Sequence, residues 1–285
     1  MAKSALLKSS IAKKYWMALT GLFLCLFLVG HLAGNLQLIF GTPLQFNEYA
    51  LFMTTNPAVK ILSYVTYISI LFHVVDGFLL TIQNRKARPV GYAKTNPGAN
   101  SSFSSRNMAV LGTLVLIFIA THMTNFWAKM HFTTMPLQTI TIDNGGQVSS
   151  FYITSGWGQD RFINVNQVDG ENLIIEGNGF YYTKPIKVQF AEGYKDLHKI
   201  TMDFFRSKEK LFGVIPNEGL FFTIFYVLSM AVLGFHLWHG FQSAFQSLGL
   251  NSPKWTPTIH FIGKAFAVLV PFLFAIIPLY IHFTK

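Results

Sequence analysis

Five histidines lie well inside long apolar stretches of this 285-residue chain. His31 is in the first stretch, His73 in the second, His122 in the third, and His236 and His239 are both in the fourth. An ionisable side chain inside a membrane helix is costly and therefore indicates function. Neutral imidazole is a common metal ligand. The alternative is that each histidine ring only hydrogen-bonds to a neighbouring helix. Because four separate helices each contain such a histidine, coincidence is a poor explanation.

The composition favours an integral membrane protein. Hydrophobic residues make up 51% of the chain and charged residues 12%, and the mean hydropathy is +0.39. The formal charge of +10 is concentrated in short segments at the ends of apolar runs, as the positive-inside rule requires. Nucleic-acid binding would need a basic face with base-reading groups outside the lipid, so we exclude nucleic acid as a partner.

Five segments are long and apolar enough to cross a hydrocarbon core, which needs about 20 helical residues. They cover approximately residues 15–40, 58–84, 107–130, 219–247 and 258–283. We therefore predict an all-α membrane protein built on a five-helix bundle. Its expected parts are residues 1–130 with three spans, an insert at 131–218, and residues 219–285 with two spans.

The basic residues predict the orientation of the bundle. The segment QNRKARPVGYAKTNPGANSSFSSR between the second and third spans combines Lys and Arg with Pro, Gly and Ser, which is typical of a cytoplasmic loop. The N-terminus should lie on the same side, because it carries Lys3, Lys8, Lys13 and Lys14. Its apolar run is too long for a signal-peptide core, so we expect an uncleaved span in the cell inner (cytoplasmic) membrane. Residues 41–57 should form a loop on the outer side, together with the insert and the C-terminus.

The insert differs in pattern from the rest of the chain. It contains alternating stretches such as RFINVNQV and NLIIEGNGFYYTKPIKVQF, which are broken by Gly and Asp-Gly turn signals. We expect a small strand-containing cap, followed by an amphipathic helical piece, DLHKITMDFFRSKEKLF, that leads back to the bilayer. The composition of the insert indicates no chemistry.

A short repeat distinguishes the two histidines of the fourth span. Residues 72–78 are FHVVDGF and residues 235–241 are FHLWHGF, so both follow the pattern F-H-x-x-x-G-F in spans of the same direction. The first histidine and the glycine occur in both copies, whereas Asp76 occupies the position of His239. We therefore assign the ligand role to His236 and expect His239 and Asp76 to surround the ligands or handle protons.

The depths of the histidines group them into two layers. At a rise of 1.5 Å per residue, His31 and His122 lie roughly 21 to 24 Å from the inner ends of their spans. His73 and His236 lie roughly 16 to 18 Å from theirs. Two stacked sites with two imidazoles each are what two b-type haems require, because each iron binds one axial nitrogen on each side.

Glycines support haem over a bare metal ion. Gly77 and Gly240 each follow a histidine by four residues on the same helix face, where a missing side chain lets a flat macrocycle approach. Gly30 and Gly34 flank His31 in a similar way. The alternative is ordinary small-residue helix packing. A bare metal ion would need more carboxylates deep in the spans, where the sequence has Asp76 as the one carboxylate. Outside electron transfer, the leading alternative function is transport of protons or metal ions.

Four motifs resemble one family of membrane proteins. They are GHLAGNL around His31, FHVVDGF around His73, ATHMTNFW around His122 and GFHLWHGFQSAFQSLGLN around His236. Together they resemble the dihaem cytochrome b subunit of succinate dehydrogenase or fumarate reductase (respiratory complex II), in its five-span, single-polypeptide form. The resemblance covers about residues 1–130 and 196–285, and its last motif is the most specific.

The resemblance implies a membrane anchor for a flavoprotein subunit and an iron-sulfur subunit on the cytoplasmic side. Electrons from succinate, a substrate of the tricarboxylic acid cycle, would pass through FAD and the clusters to the inner haem b, the outer haem b and then a quinone, menaquinone or ubiquinone. His31 and His122 would ligate the outer haem, and His73 and His236 the inner one. The single cysteine, Cys25, agrees with this scheme, since an iron-sulfur cluster needs several thiolates and must come from a partner.

Further residues are candidates for the quinone and for the haem propionates. Some relatives have a glutamate two residues before the fourth-span histidine, where this chain has Gly234, so that proton route is in doubt. Glu48 could accept a proton at a quinone site near the outer haem, or be an ordinary loop carboxylate. Four residues near span ends are candidate propionate contacts or interface anchors: Lys14, Arg85, Arg106 and Trp127.

Two other functions remain open at this stage. The chain could be a dihaem anchor for a different dehydrogenase, such as a hydrogenase or a formate dehydrogenase. It could also be a histidine-lined transporter without haem.

Overall fold

A computed structural model describes residues 9–91, 94, 96–155 and 161–284. The N-terminal residues Lys3 and Lys8, which contribute to the predicted orientation, lie outside the described residues.

The described chain is mostly helical and contains five helices that are long and apolar enough to cross a membrane. We call them spans 1 to 5; they cover Ser10–Phe40, Pro57–Lys86, Met108–Phe132, Glu218–Ser247 and Thr256–Phe283. The sequence predicted their boundaries to within about five residues. Their starts follow local chemistry: Asn56, for example, caps span 2 by accepting hydrogen bonds from the backbone N–H groups of Ala58 and Val59.

The spans form a bundle in which spans 1 and 4 contact most of the others. Its apolar interior has one cluster around Leu32, Tyr226 and Ile281 and another around Met230 and Leu237. We call the end of the bundle that carries residues 133–217 the insert end. The opposite end, which carries residues 87–107 and 248–255, is the loop end.

The segment after span 1 corrects one prediction, because residues 43–55 form a helix and not a loop. This connecting helix, Pro43–Thr55, begins with a capping box: the Thr42 hydroxyl accepts from Gln45 N, and the Gln45 side chain accepts from Thr42 N. Pro43 occupies the first helical position, where its missing N–H costs nothing. The predicted loop between spans 2 and 3 also holds two short helices, Pro97–Asn100 and Phe103–Arg106.

The insert contains the predicted strands, which form a separate antiparallel sheet between spans 3 and 4. The strands are β1 Thr139–Asn144, β2 Gln147–Ser155, β3 Arg161–Asn164, β4 Leu173–Glu176, β5 Gly179–Tyr182 and β6 Val188–Gly193. Their order in the sheet is β1-β2-β6-β5-β4, and β3 also pairs with β2. The sheet has its own small core around the fully buried Phe180.

The predicted amphipathic helix is present but shorter than expected, since Leu197–Arg206 is helical and the residues after it turn. We call it the covering helix because it packs against the connecting helix and against spans 4 and 5. A buried amide fixes its start: Asn47 Nδ2 donates to Gln138 Oε1 and Asp196 Oδ1, and Asn47 Oδ1 accepts from His198 N. The connecting helix, the insert and the covering helix therefore share one hydrogen-bond network.

Candidate cofactor site

Four histidines from four spans meet as two pairs inside the bundle. The rings of His31 and His122, from spans 1 and 3, have centroids 5.7 Å apart and planes at 86°. The rings of His73 and His236, from spans 2 and 4, have centroids 6.2 Å apart and planes at 69°. These are the two pairs that the depth estimate predicted from the sequence.

The separation between the pairs is larger than the depth estimate predicted. Gly21 contacts His73 and Gly112 contacts His236, and each glycine lies ten residues before the histidine of its own span, His31 or His122. Ten residues of helix rise about 15 Å. The estimate gave a smaller gap because it assumed that the inner ends of all spans lie at one level. Span 1 begins at Ser10 and not at residue 15, and span 4 extends eleven residues beyond His236, whereas Gly112 lies only four residues after the start of span 3.

The donors present fit two axially ligated haems. Two imidazoles on opposite sides of one metal ion each need a metal–nitrogen bond of about 2 Å, and both centroid distances are compatible with that. Each pair also contains a buried ring nitrogen that has no hydrogen-bond partner within the described part of the chain, Nδ1 of His122 in one and Nδ1 of His236 in the other. Buried polar atoms normally have partners, so an unpartnered nitrogen in each pair is typical of a ligand site.

The second ring of each pair lies near a polar group of span 1. Asn35 Nδ2 lies 3.5 Å from His31 Nδ1, and Thr20 Oγ1 lies 3.4 Å from His73 Nδ1. Such neighbours orient a ring and select which nitrogen carries the proton. Among the residues that the structure describes, no group of three or more His, Cys, Asp or Glu side chains could hold a bare metal ion. A haem iron needs only two protein ligands, since the porphyrin supplies the other four.

His239 does not share the position of His236. The His236 ring faces the His73 ring. Among the described residues, the His239 ring contacts no other aromatic ring. His239 and Asp76, which occupy the same place in the repeated motif, are both half-buried. The geometry therefore favours His236 as the ligand of span 4.

Two glycines that the sequence argument missed contact the histidine rings. A Cβ at Gly21 would lie 3.1 Å from His73 Cε1, and a Cβ at Gly112 would lie 3.5 Å from His236 Cε1. A repeat could have revealed them, because MALTGLFLCLFLVGH at 17–31 and MAVLGTLVLIFIATH at 108–122 share M-A-x-x-G and the final histidine. Spans 1 and 3 thus repeat one pattern, just as spans 2 and 4 repeat another.

The glycines predicted from the sequence have different surroundings from one another. A Cβ at Gly77 would meet only the Met17 methyl group at 3.9 Å, and one at Gly240 only the Met108 methyl group at 3.3 Å. Both positions are bordered by flexible thioether side chains, which leaves room for a flat group. A Cβ at Gly34 would instead lie 2.5 Å from the Tyr49 ring. Gly34 therefore makes room for Tyr49, which corrects its predicted role beside His31.

Aromatic side chains enclose the pair His31 and His122. Phe27 stacks on His31 with centroids 5.3 Å apart, and Phe118 stacks on His122 at 5.7 Å. Three more rings lie within 6.0 Å of one of the two histidines: Phe126, Tyr226 and Phe274. This pair is therefore held in an apolar environment that excludes water.

The covering helix closes the insert end above these rings. Phe205 is only 3% exposed, and its ring lies 5.1 Å from that of Tyr226. Arg206 donates to the carbonyl oxygens of Ile281 and Thr284 at the end of span 5, and His282 Nδ1 lies 2.6 Å from Phe205 O. These bonds hold the covering helix against the last turn of span 5.

A π-helical turn follows His122 in span 3. Met123–Ala128 is π-helical, so the span is wider directly after the histidine than in its α-helical part. Such turns are rare and frequently occur at functional sites. Within the turn, Asn125 Nδ2 donates to the hydroxyl of Tyr226, one of the rings beside His122. The sequence gave no signal for this turn.

The candidate propionate contacts do not form one group. Arg106 NH1 donates to the carbonyl oxygens of Pro97 and Ser101, and Trp127 Nε1 donates to the Tyr67 hydroxyl at 2.9 Å. These donors bond groups of the chain itself, and the contact of Arg106 and Trp127 with haem propionates stays a prediction. Lys14 and Arg85 are exposed towards the loop end.

Glu48 lies in a cleft at the insert end. The cleft has a volume of about 730 Å³ and lies between the end of span 1 and the connecting helix. Its lining comprises Ala33, Leu36, Gln37, Phe40, Gly41, Gln45, Glu48, Tyr49 and Phe52. Ala33 follows the ligand candidate His31 by two residues, and partial burial raises the pKa of Tyr49. The cleft thus combines one carboxylate, two amides and a phenol with apolar walls, beside the same span that carries His31.

Comparison with protein-family models, with characterised proteins and with solved structures gave no match for this chain.

Proposed function

We propose that this chain is the dihaem cytochrome b membrane anchor of a succinate:quinone oxidoreductase, an enzyme of the succinate dehydrogenase and fumarate reductase type. The observation that carries the proposal is the meeting of four histidines, one from each of spans 1 to 4, as two imidazole pairs. The four sequence motifs that resemble this family surround those same histidines.

Each pair would hold one haem b, His31 with His122 nearer the insert end and His73 with His236 nearer the loop end. Haem b with two histidine ligands supplies one-electron transfer without an open position for oxygen. The chain fixes the ligand rings: Asn35 and Thr20 lie beside one ring of each pair. Gly21 and Gly112 border the rings of the second pair: a Cβ at Gly21 would press on the His73 ring at 3.1 Å, and one at Gly112 would be in van der Waals contact with the His236 ring at 3.5 Å.

The cleft beside span 1 is the proposed quinone site. Its apolar walls suit the ring and tail of a quinone, and its amides can donate hydrogen bonds to carbonyl oxygens. The Glu48 carboxylate is the group that would exchange a proton with the quinone.

The loop end is the proposed docking side for the flavoprotein and iron-sulfur subunits. Lys14, Arg85, Lys86 and Lys254 are exposed there, which supports a cytoplasmic location for this end under the positive-inside rule. The single cysteine supports electron supply from clusters held by a partner. FAD would likewise be bound by a partner subunit.

The test is spectroscopy of the complex purified from membranes through a tag on this chain. We expect a b-type reduced-minus-oxidised spectrum, two haems per chain by pyridine haemochrome assay, and haem reduction on addition of succinate. Haem that succinate fails to reduce would point to another dehydrogenase, which mass spectrometry of the co-purified subunits would identify. Folded protein without any b-type spectrum would refute the proposal and favour a transporter.

A further inference from the structure

A tight apolar turn, LFGVI at residues 211–215, lies between the covering helix and span 4. Its ends are bonded to each other: Leu211 N donates to Ile215 O at 2.8 Å, and Ile215 N donates to Leu211 O at 3.1 Å. Leu211 is buried, whereas Phe212 is 88% exposed and Val214 is 78% exposed. The turn therefore presents two apolar side chains on a fixed support.

The backbone at the tip is in a conformation that phenylalanine rarely adopts. Phe212 has φ +53° and Gly213 has φ +73°, so both are in the left-handed region. A bulky residue there is a genuine outlier, and such strain tends to occur where a segment has a function. The bonds across the turn hold Phe212 in this conformation and away from the protein.

The base of the turn is attached to the first turn of span 4. Glu218 N donates to Glu209 O at 2.9 Å, and Gly219 N donates to Ser207 O at 3.0 Å. A 30-residue span is about 45 Å long, which matches a bilayer that is about 40 to 45 Å thick with its headgroups. The first turn of span 4 thus lies at headgroup depth. Phe212 and Val214 precede Glu218, the first residue of span 4, by only six and four positions, so the tip stays near the bilayer surface.

The residues around the turn suit a lipid surface. Lys208 and Lys210 precede it and are exposed, with the exposed Glu209 between them, and the two lysine ammonium groups can pair with anionic headgroups. Phe132 and Phe40, at the insert-end termini of spans 3 and 1, are also exposed. Apolar side chains are thus exposed on several elements at this end of the bundle.

We propose that the 211–215 turn inserts Phe212 and Val214 into the bilayer beside span 4, with Lys208 and Lys210 at anionic headgroups. The partner is the lipid surface itself, and the turn anchors the insert to it. This inference depends on the membrane spans and not on the haem proposal.

The test uses nitroxide labels on the full chain in vesicles. The chain has one cysteine, so Cys25→Ser provides the background for Phe212→Cys or Val214→Cys. Val148→Cys, in strand β2 and 63% exposed, is the matched control. In vesicles of phosphatidylcholine and phosphatidylglycerol, labels at 212 and 214 should relax mainly with oxygen, and the label at 148 mainly with aqueous nickel chelate.

Two outcomes would count against the proposal. Equal access of nickel chelate to the labels at positions 212, 214 and 148 would overturn the insertion. If both lysines are replaced by glutamine, the labels at 212 and 214 should become more accessible to nickel chelate. The same change is expected in vesicles of phosphatidylcholine alone. Unchanged depth in both experiments would refute the part assigned to Lys208 and Lys210. Circular dichroism of each variant confirms that the fold is retained.

Discussion

The two histidine pairs have the same composition but different surroundings. His31 and His122 are enclosed by aromatic rings and covered by Phe205 of the covering helix. His73 and His236 are instead bordered by glycines of spans 1 and 3. The first pair is therefore shielded by large side chains, whereas the second pair fits because the neighbouring positions of spans 1 and 3 are glycines.

One bundle thus positions two similar histidine pairs in different ways, one by aromatic packing and the other by close helix contact at glycines. An aromatic enclosure excludes water and resists small changes, because many rings share the packing. A glycine contact is sensitive, since a Cβ would already be within 3.1 Å of the His73 ring at Gly21 and in contact with the His236 ring at Gly112, so any larger side chain would have to displace the ring. Substitutions should therefore separate the two sites.

Replacement of a ligand should give the largest effect and divide the haem content between the pairs. We expect His122→Ala and His236→Ala each to lose one of two haems, and the double variant to lose both. Pyridine haemochrome assays and redox titration of each purified variant measure this. His239→Ala is the matched control from the same turn of span 4, and it should keep both haems. Equal haem loss from the substitutions at 236 and 239 would refute the ligand assignment.

Enlargement of one glycine should disturb one pair only. A Cβ at Gly21 would lie 3.1 Å from the His73 ring, and a branched side chain would displace that ring, at a cost of about 1 to 3 kcal/mol. We expect Gly21→Val to shift the electron paramagnetic resonance signal and the midpoint potential of the haem at His73 and His236.

Gly98→Val, in the short helix Pro97–Asn100 between spans 2 and 3, is the control for that experiment. Among the described residues, no neighbouring side chain lies within 4 Å of a Cβ at Gly98, so both signals should stay in place. If Gly21→Val and Gly98→Val altered the two haem signals alike, the proposed positioning role of Gly21 would be wrong.

The spans and the pairing were predictable from sequence, because membrane helices have a fixed rise and must cross the same thickness. The connecting helix was missed although Thr42 and Gln45 form a capping box, since its apolar residues show no clear periodicity. The strand order of the insert depends on contacts between distant residues such as Thr154 and Gly193, which no local pattern encodes.

The contacts of Gly21 and Gly112 could not be predicted from residue spacing within one helix. Sequence spacing identifies glycines on the same helix as a histidine, such as Gly77 and Gly240. The glycines that contact the rings come from a different span, so spacing within one span does not identify them. The repeat between spans 1 and 3 marks their positions, and the packing of the bundle shows which rings they contact.

Removal of a ring from the covering helix should affect the enclosed pair. Phe205 is buried, so Phe205→Ala should cost about 3 to 5 kcal/mol of stability and open a cavity beside Tyr226. We expect dithionite to reduce the haem at His31 and His122 several-fold faster, with the other haem unchanged. Stopped-flow absorbance and thermal unfolding in detergent measure both effects. Phe221→Ala, which removes a more exposed ring of span 4, is the control and should change neither the reduction rate nor the thermal stability.

If Phe205→Ala accelerated the reduction of both haems, the covering helix would not act on one pair alone.

The smallest effect should come from protonation at the start of the covering helix. Partial burial, aided by Arg206, lowers the pKa of His198 below its usual 6.5, with Asp196 opposing the shift. The unfolded chain then binds more protons than the folded one as the pH falls below about 6.5, so stability falls in that range. Because His198 is half-exposed, we expect a change in Tm of less than about 3 °C between pH 7.5 and 5.5. His198→Gln, which cannot titrate, should reduce that dependence; an identical pH profile in the variant would exclude His198 as the group responsible.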